Sequence, residues 1–154
     1  MAAGAFTFYD STAKIFMGGA DLTTATVKLA VVAATYTPNS DTHTQWSDVS
    51  TDQISSTNTG YTADGHTLGT PVLTEITKGF KFSSADVVIT AGSSNLPTHK
   101  YYVMYVSGTV EGLTNPLIGY FEGVSGGTVP ETTSGNTLTI APHATDGWFD
   151  MTRP

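Results

Sequence analysis

The chain has 154 residues, a length that suits one domain with a real hydrophobic core. Only 12% of them are charged and 39% are apolar, with six Lys and Arg against 13 Asp and Glu. The resulting formal charge of −7 argues against nucleic acid as a partner, because that affinity rests on cations displacing counterions from phosphates.

No cysteine is present, which removes disulfides and thiolate metal sites. Apolar runs such as Leu29 to Ala34 fall far short of the ~20 residues that span a bilayer, so no membrane partner is expected. The N-terminus lacks the basic residues and apolar core of a signal peptide, and the expectation is synthesis and retention in the cytosol until assembly. Polarity comes instead from Thr, Ser, Asn and Gly. That composition suits strands and tight turns and is poor material for long exposed helices.

In chain order, Phe8, Thr12, Ile15 and Phe16 share one helical stripe, with Asp10 or Ser11 as N-cap and Gly18-Gly19 as the stop. This predicts a short amphipathic helix over 8–17, although the Phe-Thr-Phe-Tyr start also fits a strand. Over 25–34, Val27, Leu29 and Val31 alternate and the run then becomes apolar on both faces, as a central strand entering a covered part of a sheet does. Residues 35–69 form a long polar insertion between the first and second core strands, punctuated by Pro38, Asn39, Gly60 and Gly65. Its aromatics Tyr36, Trp46 and Tyr61 predict that it folds back onto something apolar.

Further strands are expected at 72–77, 80–82, 87–90, 101–106, 116–121, 137–140 and 147–151, with 101–106 the most central. The stretch 108–115 reads as a turn, and 123–136, rich in Gly and Thr, as an exposed loop. Many short strands with a single helix describe one all-β domain, a β-sandwich or a partly open β-barrel. Residues 1–24 would form an N-terminal segment carrying the helix.

No spacing marks a reactive centre. His43, His66, His99 and His143 sit in polar, turn-like surroundings without a His-x-x-x-His pair, so solvated or loop-holding roles outweigh a metal site. Asp41, Asp48, Asp52 and Asp64 lack the spacing of a compact calcium loop and suit Asx-turns and caps. There is neither a Gly-x-Ser-x-Gly elbow nor a phosphate-cradling loop, and Glu75, Glu111, Glu122 and Glu131 mark no cleft. The expectation is a non-enzyme without cofactor or metal. The loop aromatics have three readings: a stacking platform for sugars, anchors on a protein partner, or pins holding the loop to the body.

Several stretches carry a resemblance. Tyr36-Thr37-Pro38 leads to Thr42-His43, then Trp46-Ser47-Asp48-Val49 and Gly60-Tyr61-Thr62-Ala63-Asp64-Gly65. Later come Phe82-Ser83-Ser84-Ala85-Asp86-Val87, Lys100-Tyr101-Tyr102-Val103-Met104-Tyr105 and Asn115-Pro116-Leu117-Ile118-Gly119-Tyr120. Together they resemble a family of small structural proteins of tailed bacteriophages, with Ser83 in place of a usual acid and His66 in place of a turn glycine. The resemblance implies a virion protein made in the host bacterial cytoplasm, and within the family a decoration protein on the capsid surface. Its partners would then be the major capsid protein and neighbouring copies of itself, as a possible trimer. A tail or fibre component is the alternative, and a carbohydrate-binding module using Trp46 and Tyr61 the second alternative. On this reading Ala2 to Tyr9 and the loop 36–62 face the shell or adjacent copies, with Phe6, Phe8, Tyr9, Tyr36, Pro38, Trp46 and Tyr61 as interface residues.

Overall fold

The computed structural model describes residues 3–154, so Ala2 of the expected shell-facing segment lies outside the described residues. Its elements are β1 (Thr7–Phe8), α1 (Ser11–Met17), β2 (Val27–Val32), β3 (His66–Thr67), β4 (Val72–Ile76), β5 (Gly79–Ser83), β6 (Val87–Thr90) and β7 (Tyr101–Val106). After these come β8 (Thr109–Val110), β9 (Leu113–Thr114), β10 (Leu117–Glu122), β11 (Thr137–Ile140) and β12 (Phe149–Thr152). The fold is all-β, built of antiparallel sheets without a closed barrel among the described residues.

The central sheet runs β1-β10-β7-β2-β3. All six residues of β7 are buried, as a strand covered on both faces requires. Beside it, the period of two in β2 sorts the side chains. Val27, Leu29 and Val31 enter one apolar cluster, while Ala30 and Val32 enter a second on the opposite face.

Two smaller sheets, β12-β5-β4 and β11-β6, supply the partners of the first cluster: Phe82, Val87, Ile89, Ile140 and Phe149. The second cluster is closed by the segment between β2 and β3, which contributes Tyr36, Trp46 and Val49. This segment contains short 3₁₀ turns at Trp46–Asp48 and Ser50–Asp52. It also runs along the edge of β2, where the Ala33 amide donates to the Asp52 carbonyl and the Ile54 amide to the Val31 carbonyl. The expected insertion is thus a third layer, interrupted by β3, whose His66 and Thr67 pair with Leu29 and Lys28.

The N-terminal segment differs from expectation. Phe8 lies in β1, paired opposite Gly119, and the helix starts only at Ser11. Neither Asp10 nor Ser11 acts as a side-chain cap. Ser11 Oγ instead donates to the Leu117 carbonyl at 2.7 Å and Thr12 Oγ1 to the Ile118 carbonyl, docking the helix onto β10. At the other end the Gly18 amide closes on the Lys14 carbonyl and Gly19 takes a φ of 73°, the glycine stop that was expected. The turn 108–115 contains the hairpin β8–β9. The loop 123–136 is mostly exposed but is strapped down by bridges from Val129 to His99 and from Thr132 to Leu96.

Candidate functional site

Part of the residues that carry the resemblance, Tyr36, Trp46, Val49, Tyr105 and Leu117 among them, meet on the loop-covered face. The Trp46 ring stacks on Tyr105 with centroids 4.9 Å apart and planes 6° from parallel. Its Nε1 donates to Asp64 Oδ1 at 2.9 Å, and the Tyr105 hydroxyl donates to the Asp64 carbonyl. The Trp46 amide reaches the Asn115 carbonyl at 2.9 Å, and the Leu117 amide the Thr44 carbonyl at 3.0 Å. Asp64 has a φ of 61°, a conformation that Asp tolerates better than most side chains. Four stretches far apart in sequence therefore close one joint.

A second chain of contacts runs from the interior outward. Tyr9 Oη and Tyr36 Oη lie 2.7 Å apart, and Tyr36 Oη lies 2.8 Å from His43 Nδ1. Burial pushes the Tyr36 phenol up to about 12 and raises that of Tyr9 still further. Both phenols are therefore neutral hydrogen-bonding groups at ordinary pH.

These positions decide what the interface candidates present. Tyr9, Tyr36, Trp46 and Tyr61 are each under 5% exposed, so their rings offer neither a sugar platform nor anchors for a partner in this conformation. They pin the loop, because a loop laid on an apolar face must bury its own aromatic side chains there. Phe6, Phe8 and Pro38 are partly accessible. What the loop does expose is polar: Ser47, Thr51, Ser55, Ser56 and Thr57.

Several polar side chains of the loop are engaged locally. Asp48 Oδ2 accepts the Thr44 and Gln45 amides, Asn39 Oδ1 those of Asp41 and Thr42, and His66 Nε2 that of Thr62. His99 is fully buried, with Nδ1 at 2.9 Å from the Pro97 carbonyl and Nε2 at 2.9 Å from the Tyr102 hydroxyl. This fixes Nδ1 as the protonated nitrogen and Nε2 as acceptor. Burial lowers its pKa, outweighing the Pro97 carbonyl, and burial followed by the nearby Lys28 lowers that of His66. Among the described residues no three His, Asp or Glu side chains gather in a metal-binding group.

Two surfaces remain open. The β4 edge exposes Val72 and Leu73. A groove of about 700 Å³ lies between the N-terminal segment and β12, over Phe6, Phe8, Phe121, Trp148 and Phe149. Sequence reasoning did not find this groove, because Phe6 and Trp148 stand near opposite ends of the chain. Comparison with known protein families, curated protein sequences and solved structures finds no match.

Proposed function

We propose that the chain is a non-enzymatic structural protein of a tailed-bacteriophage virion, of the decoration type that sits on the outer surface of the major capsid shell. The observation that carries this reading is the joint around Trp46. The stretches resembling the phage family at Trp46, Asp64, Tyr105 and Asn115–Leu117 meet in one hydrogen-bonded unit, so these motifs serve one architectural purpose. A rigid acidic body with an exposed polar loop layer suits a protein that must stay soluble and then dock in many copies on a repeating surface.

The glycan-stacking alternative has lost its proposed platform, since Trp46 and Tyr61 are 4% and 3% exposed. The tail or fibre alternative shares the same fold logic. Mass spectrometry of heads separated from tails decides: the reading expects the chain in heads, while recovery from tails alone assigns it to the alternative and absence from both fractions overturns either virion role. Deleting the loop to map the shell contact would strip a layer from the core. Substitutions at its exposed Ser47, Thr51 and Ser56, each to Arg, test the same face with the fold intact.

A further inference from the structure

We propose that the groove between β1 and β12 is a docking site for an extended peptide segment of a partner protein, one bearing an apolar or aromatic side chain next to a Lys or Arg. The inference rests on the reading of this chain as a docking protein and specifies the chemistry that is docked.

Three observations define the occupant. First, β1 pairs only with β10 and β12 only with β5, so two strand edges without a further neighbour among the described residues flank the groove. Such edges hold an incoming segment by main-chain hydrogen bonds in the extended conformation. Second, the floor is aromatic: its accessible part is Phe6 and Phe8, backed by Phe121, Trp148 and Phe149, which are themselves buried. Phe149 lies 5.0 Å from Phe6 and 5.1 Å from Phe8 by ring centroids, and Phe121 lies 6.0 Å from Trp148. A cleft of about 700 Å³ over such a floor is in the range that takes a large apolar side chain with its flanking backbone. Ala5 and Ala141 on the rim are small and exposed, leaving the entrance open.

Third, the rim selects a charge. Asp146 and Asp150 line the groove together with His143, whose Nδ1 lies 2.9 Å from an Asp146 carboxylate oxygen, and among the described residues no Lys or Arg lines it. Lys81, opposite Asp150 in the strand register, has its ammonium engaged by the Ala144 and Thr145 carbonyls at 2.9 Å each. An acidic rim over aromatic faces attracts a cation by charge and by the ring quadrupoles, and the chain's net charge of −7 reinforces the choice.

The two tryptophans make the test internally controlled. Trp148 lines the groove, with its Nε1 donating to Ser84 Oγ, whereas Trp46 Nε1 donates to Asp64 on the opposite face of the central sheet. In ¹⁵N-labelled protein, titration with an acetylated Lys-Phe-Lys-Val-Lys amide should shift the Trp148 indole resonance and leave that of Trp46 in place. The Glu-Phe-Glu-Val-Glu counterpart should bind at least about tenfold more weakly. Ala141→Lys, which fills and reverses the rim without touching the buried aromatics, should weaken the basic peptide by a similar factor and lower occupancy on isolated heads.

An unmoved Trp148 resonance at millimolar basic peptide, or equal binding of the two peptides, overturns the inference. Ala141→Lys protein that occupies heads as fully as the unaltered chain removes the groove from docking and leaves the decoration reading standing. A chain absent from heads that still binds the basic peptide at Trp148 does the reverse.

Discussion

The two faces of the central sheet are closed by opposite means. On the Val27, Leu29 and Val31 side, most of the covering layer is made of strands whose backbones pair with each other, with Ile54, Tyr61 and Leu68 of the insertion packed beside them. Its inward side chains, such as Phe82, Val87, Ile89 and Ile140, need only be apolar and of the right size. On the Ala30 and Val32 side the cover is an irregular segment, and a backbone without a ladder needs other partners. Its large inward residues each carry a polar atom that finds one: Trp46 with Asp64, and Tyr36 with Tyr9 and His43. No buried side-chain nitrogen or oxygen among the described residues lacks a partner. A regular layer tolerates exchange of apolar groups, whereas an irregular one depends on named donors and acceptors.

The largest expected effect tests that contrast directly. Trp46→Ala removes the stacked ring and an indole donor to Asp64, and should cost about 3–5 kcal/mol in urea unfolding. Trp46→Phe keeps an aromatic ring but deletes the donor, leaving Asp64 Oδ1 with Gln53 Nε2 at 3.3 Å; about 1–2 kcal/mol is expected. Phe82→Leu on the strand-covered face, an exchange within apolar chemistry, should cost less than about 1.5 kcal/mol. A Trp46→Phe cost no greater than that of Phe82→Leu would remove the contrast. The sharper measure is Tyr36→Phe, which strands the buried Tyr9 hydroxyl and should cost about 1–3 kcal/mol where no shape has changed.

The next effect concerns the seam at the end of the sheet. Gly119 sits under the Phe6 ring, and an added Cβ would run into that ring and lie 2.6 Å from the Thr7 carbonyl. Gly119→Ala should therefore push β1 away from β10 at about 1–3 kcal/mol. Amide exchange should quicken at Gly4 and Tyr9, whose N–H groups bond to the Glu122 and Ile118 carbonyls. Undisturbed protection there would mean that Phe6 moves aside freely, and the groove floor would be softer than the aromatic contacts imply.

The contrast between the faces also explains what could be read from the chain. Strands β2 and β7 were legible because alternation and a continuous apolar run follow from pleat and burial alone. The return of the 35–69 insertion onto an apolar surface was legible from its aromatics. The exposure of those aromatics was not, since Trp46 is buried by Tyr105 and Tyr61 lies in the first cluster with Ile54 and Leu68, contacts that no local pattern encodes. Ser11 looked like cap material and Thr12 like part of the helical stripe, yet their acceptors on β10 are 106 residues away. Phe8 satisfies both a strand and a helix start, and only the pairing of Thr7 and Phe8 to β10 separates the two.

Acid should act on the strand-covered side. His99 is neutral and buried there beside Tyr102, with a pKa held below its ordinary 6.5 by burial. Below pH 6.5 the unfolded chain takes up a proton that the folded one refuses. The stability contributed is thus complete above that pH and is lost progressively as the pH falls to the depressed folded value. The half-buried His66, lowered by burial and Lys28, adds in the same direction. Protection of the paired amides of His99 and Val129, corrected for intrinsic rates, should fall between pH 7 and pH 5 by more than that of Trp46. His99→Asn should flatten this slope while lowering stability at pH 8. Alkali makes no such distinction, because burial raises the phenols of Tyr36 on one face and Tyr102 on the other. Tyr36 alone sets a loss between its ordinary 10.0 and about 12 as the pH rises.

The smallest effect lies at the surface, where Lys100 and Glu122 pair at 3.2 Å with both side chains about a quarter exposed. Exposed pairs of this kind add little to global stability, so Lys100→Gln should leave the urea midpoint unchanged. Glu122 has a second role. Its Oε2 accepts the Gly126 amide at 2.6 Å, and this bond, ahead of Lys100, lowers its carboxyl pKa. Glu122→Gln keeps a carbonyl acceptor for Gly126 and should preserve that amide's protection, whereas Glu122→Ala should lose it with the midpoint again unmoved. A shifted midpoint in Glu122→Ala would show that the 123–136 strap is coupled to the core as tightly as the loop layer, and that local polar bonds secure both faces alike.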